Sequence, residues 1–281
     1  MQNSTRVTVP EIYSRKSDQR KITALTAYDF SLARLVDAAG VDIILVGDSL
    51  GGIIQGAETT LPVTLDEVIY HARCVTRAVK QSLVVGDLPF MSYQISIEEA
   101  LRSAGRLMKE SGVGAVKLEG GKHMAQTISR LVEIDIPVMG HVGLTPQSYH
   151  RMGGHKQQGK KVAASNNEAG SAARILEDAL AVEKAGAFSV VLEGIPDALA
   201  KEITTTLSIP TIGIAAGPDC DGQILVLHDM LGVNPDFKPR FVKRYAELSS
   251  VIDLAVKEYV QEVSTGAFPK PDVSLKRVLG K

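Results

Sequence analysis

Four short apolar runs in this chain end in an acidic residue that has a glycine beside it. They read IILVGD, LVVGD, VKLEGG and VVLEG, and their acids are Asp48, Asp87, Glu119 and Glu193. Continuous apolar runs, unlike alternating ones, are typical of strands that are buried on both faces, as in a parallel sheet covered by helices. The pattern therefore predicts an α/β fold in which several buried strands are each followed by a carboxylate.

The same rhythm extends along most of the chain. Strands are predicted over 22–27, 41–46, 83–85, 115–118, 137–141, 189–192, 211–214 and 224–227. Amphipathic stretches between them predict helices over 30–39, 65–80, 96–111, 122–132, 171–185, 197–207 and 240–263. Eight such units in 281 residues match the size of a (βα)8 TIM barrel. We expect one domain over 1–281 with a short N-terminal arm and a C-terminal tail; a doubly wound open sheet is the alternative.

Composition excludes several classes of partner. The 31 Lys and Arg residues nearly balance 32 Asp and Glu residues, so neither a nucleic acid nor an anionic membrane is expected as a partner. No apolar run approaches the roughly 20 residues of a membrane span, and the first twenty residues lack the apolar core of a secretory signal. Two cysteines are too few for a disulfide framework and indicate a reducing compartment.

In a parallel barrel the C-terminal ends of the strands surround one mouth, where active sites lie. We therefore expect Asp48, Asp87 and Glu119 to lie close together. Three neighbouring carboxylates repel one another unless a cation is present, and hard oxygen ligands suit Mg²⁺. Lys117 lies two residues before Glu119, so both side chains point to one side of the strand. This lysine can neutralise a substrate carboxylate or phosphate.

Other readings of the same residues stay open. An acid after a strand is often only a helix cap or a turn residue. His141 is either a buried histidine without a chemical role or part of the site. The glycines beside the acids, among them Gly47 and Gly86, would let a ligand approach the backbone.

Long motifs make the sequence similar to a known family. They are TALTAYDFSLARLVDAAGVDIILVGDSLG, TTLPVTLDEVIYH, VVGDLPFMSY, AVKLEGG, PVMGHVGLTPQS, AGAFSVVLEGIP and IPTIGIAAGPDCDGQILVLHDMLG. In this order, from about residue 23 to 245, they closely resemble the ketopantoate hydroxymethyltransferases. The resemblance implies a (βα)8 barrel of the phosphoenolpyruvate-mutase/isocitrate-lyase kind, a cytoplasmic location and a homodecamer.

The resemblance also implies an activity and a set of site residues. Family members use Mg²⁺ and transfer a hydroxymethyl group from 5,10-methylenetetrahydrofolate to 3-methyl-2-oxobutanoate, giving 2-dehydropantoate in pantothenate biosynthesis. The matching positions imply that Asp48, Asp87 and Glu119 bind the metal, and that Asp48, Ser49, Asp87 and Lys117 bind the substrate. They imply that Glu193 is the catalytic base. A 2-oxo acid can chelate the metal, which would stabilise the enolate formed when Glu193 removes the C3 proton.

The sequence departs from the family pattern in three places. Ala215 replaces a glycine of the usual GAG turn, the run at 51–56 is less bulky than usual, and the segment 157–170 is longer than usual. None of these changes touches the proposed metal or base residues. The alternative functions are a Mg²⁺-dependent 2-oxo-acid lyase or mutase of the isocitrate-lyase type and a metabolite-binding protein without turnover. The lyase group needs a poised cysteine acid, and the sequence offers no evident one.

Overall fold

Eight parallel strands close into a barrel in the computed structural model, which describes residues 6–159 and 172–270. The strands pair in chain order, and the first pairs with the last, in the register Ala24 to Ile224. The strands are β1 (Ile22–Thr26), β2 (Ile43–Val46), β3 (Leu83–Asp87), β4 (Ala115–Lys117), β5 (Val138–Gly143), β6 (Ser189–Glu193), β7 (Thr211–Ile214) and β8 (Gly222–Leu225). The predicted TIM barrel is confirmed, and the open sheet is excluded.

Helices follow most strands, and several begin at a residue whose side chain caps the helix. They are α1 (Val9–Ser14), α2 (Phe30–Ala38), α3 (Leu50–Ile53), α4 (Leu65–Ala78), α5 (Ile97–Ser111), α6 (Ala125–Glu133), α7 (Tyr149–Met152), α8 (Ala172–Lys184), α9 (Asp197–Thr206), α10 (Leu227–Met230) and α11 (Leu248–Thr265). Two 3₁₀ turns cover Lys122–Met124 and Pro146–Ser148. Thr64 and Glu67 form a reciprocal capping box on α4, whereas Ser96 caps α5 alone.

The barrel interior is filled by alternate residues of the strands. Its buried core includes Ile22, Ala24, Ile43, Leu45, Leu83, Val85, Ala115, Met139, Val191, Ile212 and Ile224. Ile12 of α1 belongs to the same cluster and is fully buried. Arg15 and Lys16 bind Asp42 and Asp221, which lie just before β2 and β8. The leading helix thus covers the N-terminal end of the barrel, and the C-terminal end is left for a site.

The chain divides into two compact units, Met1–Leu227 and His228–Lys281. The first contains the barrel, and the second contains α11. The prediction of one domain over 1–281 stays a prediction.

The helix predicted over 240–263 begins only at Leu248, and α3 and α7 lie in segments for which loops were predicted. Most of the long segment 157–170 lies outside the described residues, as does the end of the C-terminal tail. None of the described helices is long and apolar enough to cross a membrane.

Candidate active site

The predicted residues line one cavity at the C-terminal mouth of the barrel. Asp87 and Lys117 are direct partners in the register of β3 and β4. Asp48 and Glu119 lie two residues beyond β2 and β4, and Glu193 ends β6. Together with Ser49 and His141, these side chains surround a cavity of about 120 Å³. The structure therefore brings together every residue that the sequence proposed for the site, and it places there His141, whose role the sequence left open.

Lys117 is a buried cation among the three carboxylates. Its Nζ donates to Asp87 Oδ1 and Oδ2 at 2.8 and 2.9 Å, and it lies 4.0 Å from Glu119 Oε1. Burial alone would lower the pKa of Lys117, but the charges of Asp87, Glu119 and Asp48 raise it above its usual value. The ammonium group is therefore charged at neutral pH.

One lysine does not balance the negative charge. Burial first, and then the charge of Asp87, raise the pKa of Asp48 to about 7. Burial and the charges of Asp48 and Asp87 also raise the pKa of Glu119 well above its usual value, although Lys117 opposes the shift. Glu119 Oε1 is buried and accepts no hydrogen bond. A buried oxygen without a donor beside two further carboxylates is a place where a cation would be stabilised.

Gln147 connects the carboxylates, and the sequence analysis missed it. Its Nε2 donates to Asp48 Oδ2 at 2.9 Å and to the Leu88 carbonyl at 3.0 Å. Its backbone N–H donates to Glu119 Oε2 at 3.0 Å, and its Oε1 accepts from the Tyr93 hydroxyl at 2.7 Å. Gln147 lies in the loop after β5, so only its place after a strand end could have pointed to it.

His141 lies between two carboxylates in the buried wall of the cavity. Its Nε2 is 3.2 Å from Glu193 Oε2, and its Nδ1 is 3.6 Å from Glu119 Oε1, although neither ring nitrogen is aligned for a hydrogen bond. Burial and the charge of Lys117 lower the pKa of His141, so the ring is neutral at neutral pH. The side chain of Glu193 is 22 % exposed, which leaves its carboxylate open to the cavity.

Ser49 completes the floor of the site from the loop after β2. Its Oγ lies 2.7 Å from the hydroxyl of the buried Tyr28. The close packing depends on Gly47, since a Cβ there would lie 3.0 Å from Ser49 Oγ and 3.5 Å from Asp87 Oδ2. The glycine therefore allows the loop to pack against the carboxylates.

No group of three or more His, Cys, Asp or Glu side chains is arranged as a ready-made metal site within residues 6–159 and 172–270. Lys117 and Gln147 occupy hydrogen-bonding positions on Asp87 and Asp48. Mg²⁺, however, is usually held by only one or two carboxylates together with water and substrate oxygens. The excess negative charge and the donor-free oxygen of Glu119 fit such an ion.

Comparisons with known proteins place the chain in a family. The family model described as ketopantoate hydroxymethyltransferase matches residues 6–271. A protein of Pelobacter propionicus named 3-methyl-2-oxobutanoate hydroxymethyltransferase is 59 % identical over 96 % of this chain and 97 % of its own length. A protein of Trichlorobacter lovleyi with the same name is 57 % identical over 96 % of this chain and 98 % of its own.

Solved structures share the barrel at low sequence identity. A 2,3-dimethylmalate lyase, described as a PEP mutase/isocitrate lyase superfamily member, has a TM-score of 0.59 at 15 % identity and covers 97 % of this chain and 94 % of its own. A phosphonopyruvate hydrolase in complex with oxalate and Mg²⁺ has a TM-score of 0.61 at 13 % identity, with the same coverage. These likenesses concern the fold alone. The match of the family model and the relatives of more than 50 % identity show that the chain belongs to the ketopantoate hydroxymethyltransferase family.

Proposed function

We propose that this protein transfers a hydroxymethyl group from 5,10-methylenetetrahydrofolate to 3-methyl-2-oxobutanoate and so forms 2-dehydropantoate. The observation that carries the proposal is a small cavity in which Lys117 and three carboxylates face a separate carboxylate, Glu193. Such a site can hold an anionic keto acid at one end and remove a proton at the other. The names of the relatives support the choice of substrate.

Asp48, Asp87 and Glu119 would hold a Mg²⁺ ion. Their shared negative charge and the unpaired Oε1 of Glu119 support this assignment. The ion would act as a Lewis acid toward the 2-oxo group of the substrate. The Mg²⁺ of the similar phosphonopyruvate hydrolase structure is consistent with this choice.

The substrate carboxylate would bind at Lys117 and Ser49. Lys117 brings a fixed positive charge to the cavity floor, and Ser49 brings a hydroxyl. Asp48 and Asp87 contribute by fixing the position of this floor, since the Asp48 N–H and the Lys117 ammonium both donate to Asp87. The keto acid is thereby oriented with its C3 toward the open part of the cavity.

Glu193 would act as the base. Its carboxylate is partly exposed to the cavity, and no lysine or arginine pairs with it among the ion pairs of the described residues. It would take the C3 proton of the keto acid. Water would take the methylene carbon off the two folate nitrogens as formaldehyde, and each nitrogen would gain a proton as tetrahydrofolate leaves. The C3 carbanion equivalent would then attack the formaldehyde carbon, and the formaldehyde oxygen would take up the proton held by Glu193 to become the hydroxyl of the product. The neutral ring of His141, 3.2 Å from Glu193 Oε2, would orient the base.

The lyase or mutase alternative gains no support from the site. Lyases of this type require an active-site cysteine that acts as an acid. Neither Cys74 nor Cys220 is among the described residues that line the cavity. Cys220 is buried, and burial raises the pKa of its thiol.

We also infer a homodecamer in the cytoplasm. Helix α11 supports assembly, because none of its residues is buried and it exposes large apolar side chains, including Val251, Leu254 and Tyr259. An exposed apolar helix face is typical of a protein interface. The free thiols Cys74 and Cys220 support a reducing compartment.

The half-reaction without folate tests the proposal. Purified protein with Mg²⁺ is incubated with 3-methyl-2-oxobutanoate in D₂O, and loss of the C3 proton signal is followed by NMR. We expect exchange by the wild type and its loss, by at least about a hundredfold, in the Glu193→Gln variant. The control is Glu202→Gln, which changes an exposed residue of α9. Exchange by Glu193→Gln at the wild-type rate would show that another group is the base.

A further inference from the structure

A second cavity opens beside the first and has no role in the chemistry described so far. It has a volume of about 400 Å³ and lies between the loops that follow β3, β4 and β5 and the first turns of α8. Glu119 lines both cavities. A ligand in the second cavity would therefore end beside the keto acid in the first.

The two cavities suit ligands of different size. The first, at about 120 Å³, is smaller than the sites of drug-sized ligands and suits a small acid. The second falls within the range of roughly 300–1,000 Å³ that such larger ligands occupy. It therefore has room for a second substrate that is several times larger than the keto acid.

The walls of the second cavity offer flat apolar contacts. Phe90 lines it and is 39 % exposed, so part of its side chain is open to a ligand. Met152 and Ile175 lie on other walls. An exposed aromatic face with apolar neighbours is suited to stacking against a ring system.

Cationic groups lie at the same cavity. Arg151 and Arg174 both line it, and Arg151 donates to Ser148 Oγ at 3.2 Å. Both arginines are near His123. Burial lowers the pKa of this histidine, and the positive charges of the two arginines lower it further, whereas the negative charge of Asp178 raises it. Asp178 itself accepts the backbone N–H of Lys122 at 2.8 Å. Two guanidinium groups near one apolar wall are suited to a ligand that carries carboxylates.

We propose that this second cavity is the binding site of the reduced folate, with Phe90 against its ring system and Arg151 and Arg174 at its glutamate carboxylates. The inference rests on the proposed function and deepens it, since it assigns the folate-contacting residues. The shape and the charge of the site agree with this ligand. Its ring system would lie at the wall formed by Phe90, and its carboxylates would lie at the two arginines. The end of the ligand that carries the one-carbon unit then reaches Glu119 and the keto acid.

The test compares two folate substrates. The 5,10-methylene derivatives of tetrahydrofolate and of tetrahydropteroate, which lacks the glutamate, are assayed with the wild type and with Arg151→Gln. The wild type should show a KM at least about tenfold higher for the pteroate, since it loses charge-assisted hydrogen bonds. In Arg151→Gln the ratio of the two KM values should fall toward one. Arg102→Gln, an arginine whose side chain is 72 % exposed on α5, should keep the wild-type ratio.

The wild-type comparison needs no variant, so a misfolded Arg151→Gln would not obscure the result. Equal KM values for the two substrates in the wild type, or an unchanged ratio in Arg151→Gln, would overturn the proposed site. Phe90→Ala should raise the KM for the folate, and Phe90→Trp should restore it; equal values in the two variants would contradict the stacking role.

Proton exchange on 3-methyl-2-oxobutanoate separates this inference from the proposed function. If the wild type neither exchanges protons nor transfers the one-carbon unit, then the proposed function fails. If it does both and the KM ratios do not move, then only the folate site fails.

Discussion

At the scale of single residues, the site depends on an imbalance of charge. Among the residues that the structure describes, Lys117 is the one cation that forms an ion pair with Asp87, and it lies near Glu119. Asp48 adds a third carboxylate and raises the negative charge of the buried cluster. Burying unpaired charge costs several kcal/mol per ion, so this cluster does not stabilise the folded protein by itself. Its arrangement makes sense as a site that receives a cation and an anionic substrate.

Gln147 should position the carboxylates rather than react. Gln147→Leu removes the amide donor from Asp48 and the acceptor of the Tyr93 hydroxyl. We expect the free energy of unfolding to fall by about 1–3 kcal/mol in the absence of metal, because buried polar groups lose their partners. Urea denaturation measures this change, and calorimetry should show weaker Mg²⁺ binding as well.

A matched change at the surface controls for the loss of an amide. Gln55→Leu removes an exposed hydrogen bond to Glu67 and should change stability by less than about 0.5 kcal/mol. If Gln147→Leu were as stable as the wild type and bound Mg²⁺ equally well, Gln147 would have no positioning role.

The acidic site residues and Lys117 could be predicted from the sequence, because the strand ends of a parallel barrel meet at one mouth. Gln147 and Tyr93 could not be found in this way. They come from loops, and a loop amide or tyrosine has no periodic signal that separates it from a surface residue. The role of His141 could not be decided from the sequence for a related reason. A histidine on a buried strand can face either the barrel interior or a covering helix.

At the scale of elements, two similar glycines have different tasks. Gly47 faces the site, as expected from the sequence. A Cβ at Gly86 would instead lie 2.9 Å from Leu107 Cδ2, so this glycine allows α5 to pack closely on β3. The expectation that Gly86 admits a ligand was wrong, because strand residues alternate in direction and Gly86 precedes the inward-facing Asp87.

Element existence was easier to predict than element boundaries. All eight strands overlap predicted runs, and β7 over Thr211–Ile214 has the predicted bounds, whereas β8 over Gly222–Leu225 begins two residues before the predicted 224–227. Helix α3 could not be predicted, because its LGGI sequence is rich in glycine and it forms by tertiary context. The predicted helix over 240–263 started eight residues early, since apolar periodicity alone does not mark where a chain leaves a loop.

The turn between β7 and β8 contains a strained residue. Ala215 has a φ of +50°, in the left-handed region that costs a residue with a Cβ roughly 1–2 kcal/mol. Ala215→Gly should therefore raise the free energy of unfolding by about 1 kcal/mol after the added freedom of the unfolded chain is subtracted. Urea denaturation measures the change.

The neighbouring alanine offers the control. Ala216 is 1 % exposed and lacks a positive φ, so Ala216→Gly should lose about 1 kcal/mol. A loss of stability in both variants would show that position 215 carries no strain.

At the scale of the whole barrel unit, the two ends have separate tasks. Helix α1 closes the N-terminal end with Ile12 and the ion pairs of Arg15 and Lys16. The C-terminal end carries both cavities. Closure of eight strands forces carboxylates from the ends of β2, β3 and β4 into one buried place, although 70 residues lie between Asp48 and Glu119 in the chain. The fold therefore brings together buried negative charges whose requirement for a compensating cation the proposed metal site would meet.

This requirement makes stability and metal binding depend on pH. The pKa of Asp48 in the folded state, about 7, is above its ordinary value of 3.8. The contribution of this group to stability is therefore fully present below about pH 4 and is lost as the pH rises through about 7. A bound cation reverses the preference, because it favours the ionised carboxylate and must displace the proton.

The affinity for Mg²⁺, measured by calorimetry between pH 6 and pH 8 with the keto acid present, tests the shared cation site most directly. We predict one ion per chain, with affinity that falls by up to about tenfold per pH unit below about 7 as one proton is displaced. Asp48→Asn should weaken binding and reduce this dependence, of which Glu119, whose pKa is also raised, keeps a part. Wild-type affinity in Asp48→Asn, or no binding of Mg²⁺ by the wild type at pH 8, would contradict the account.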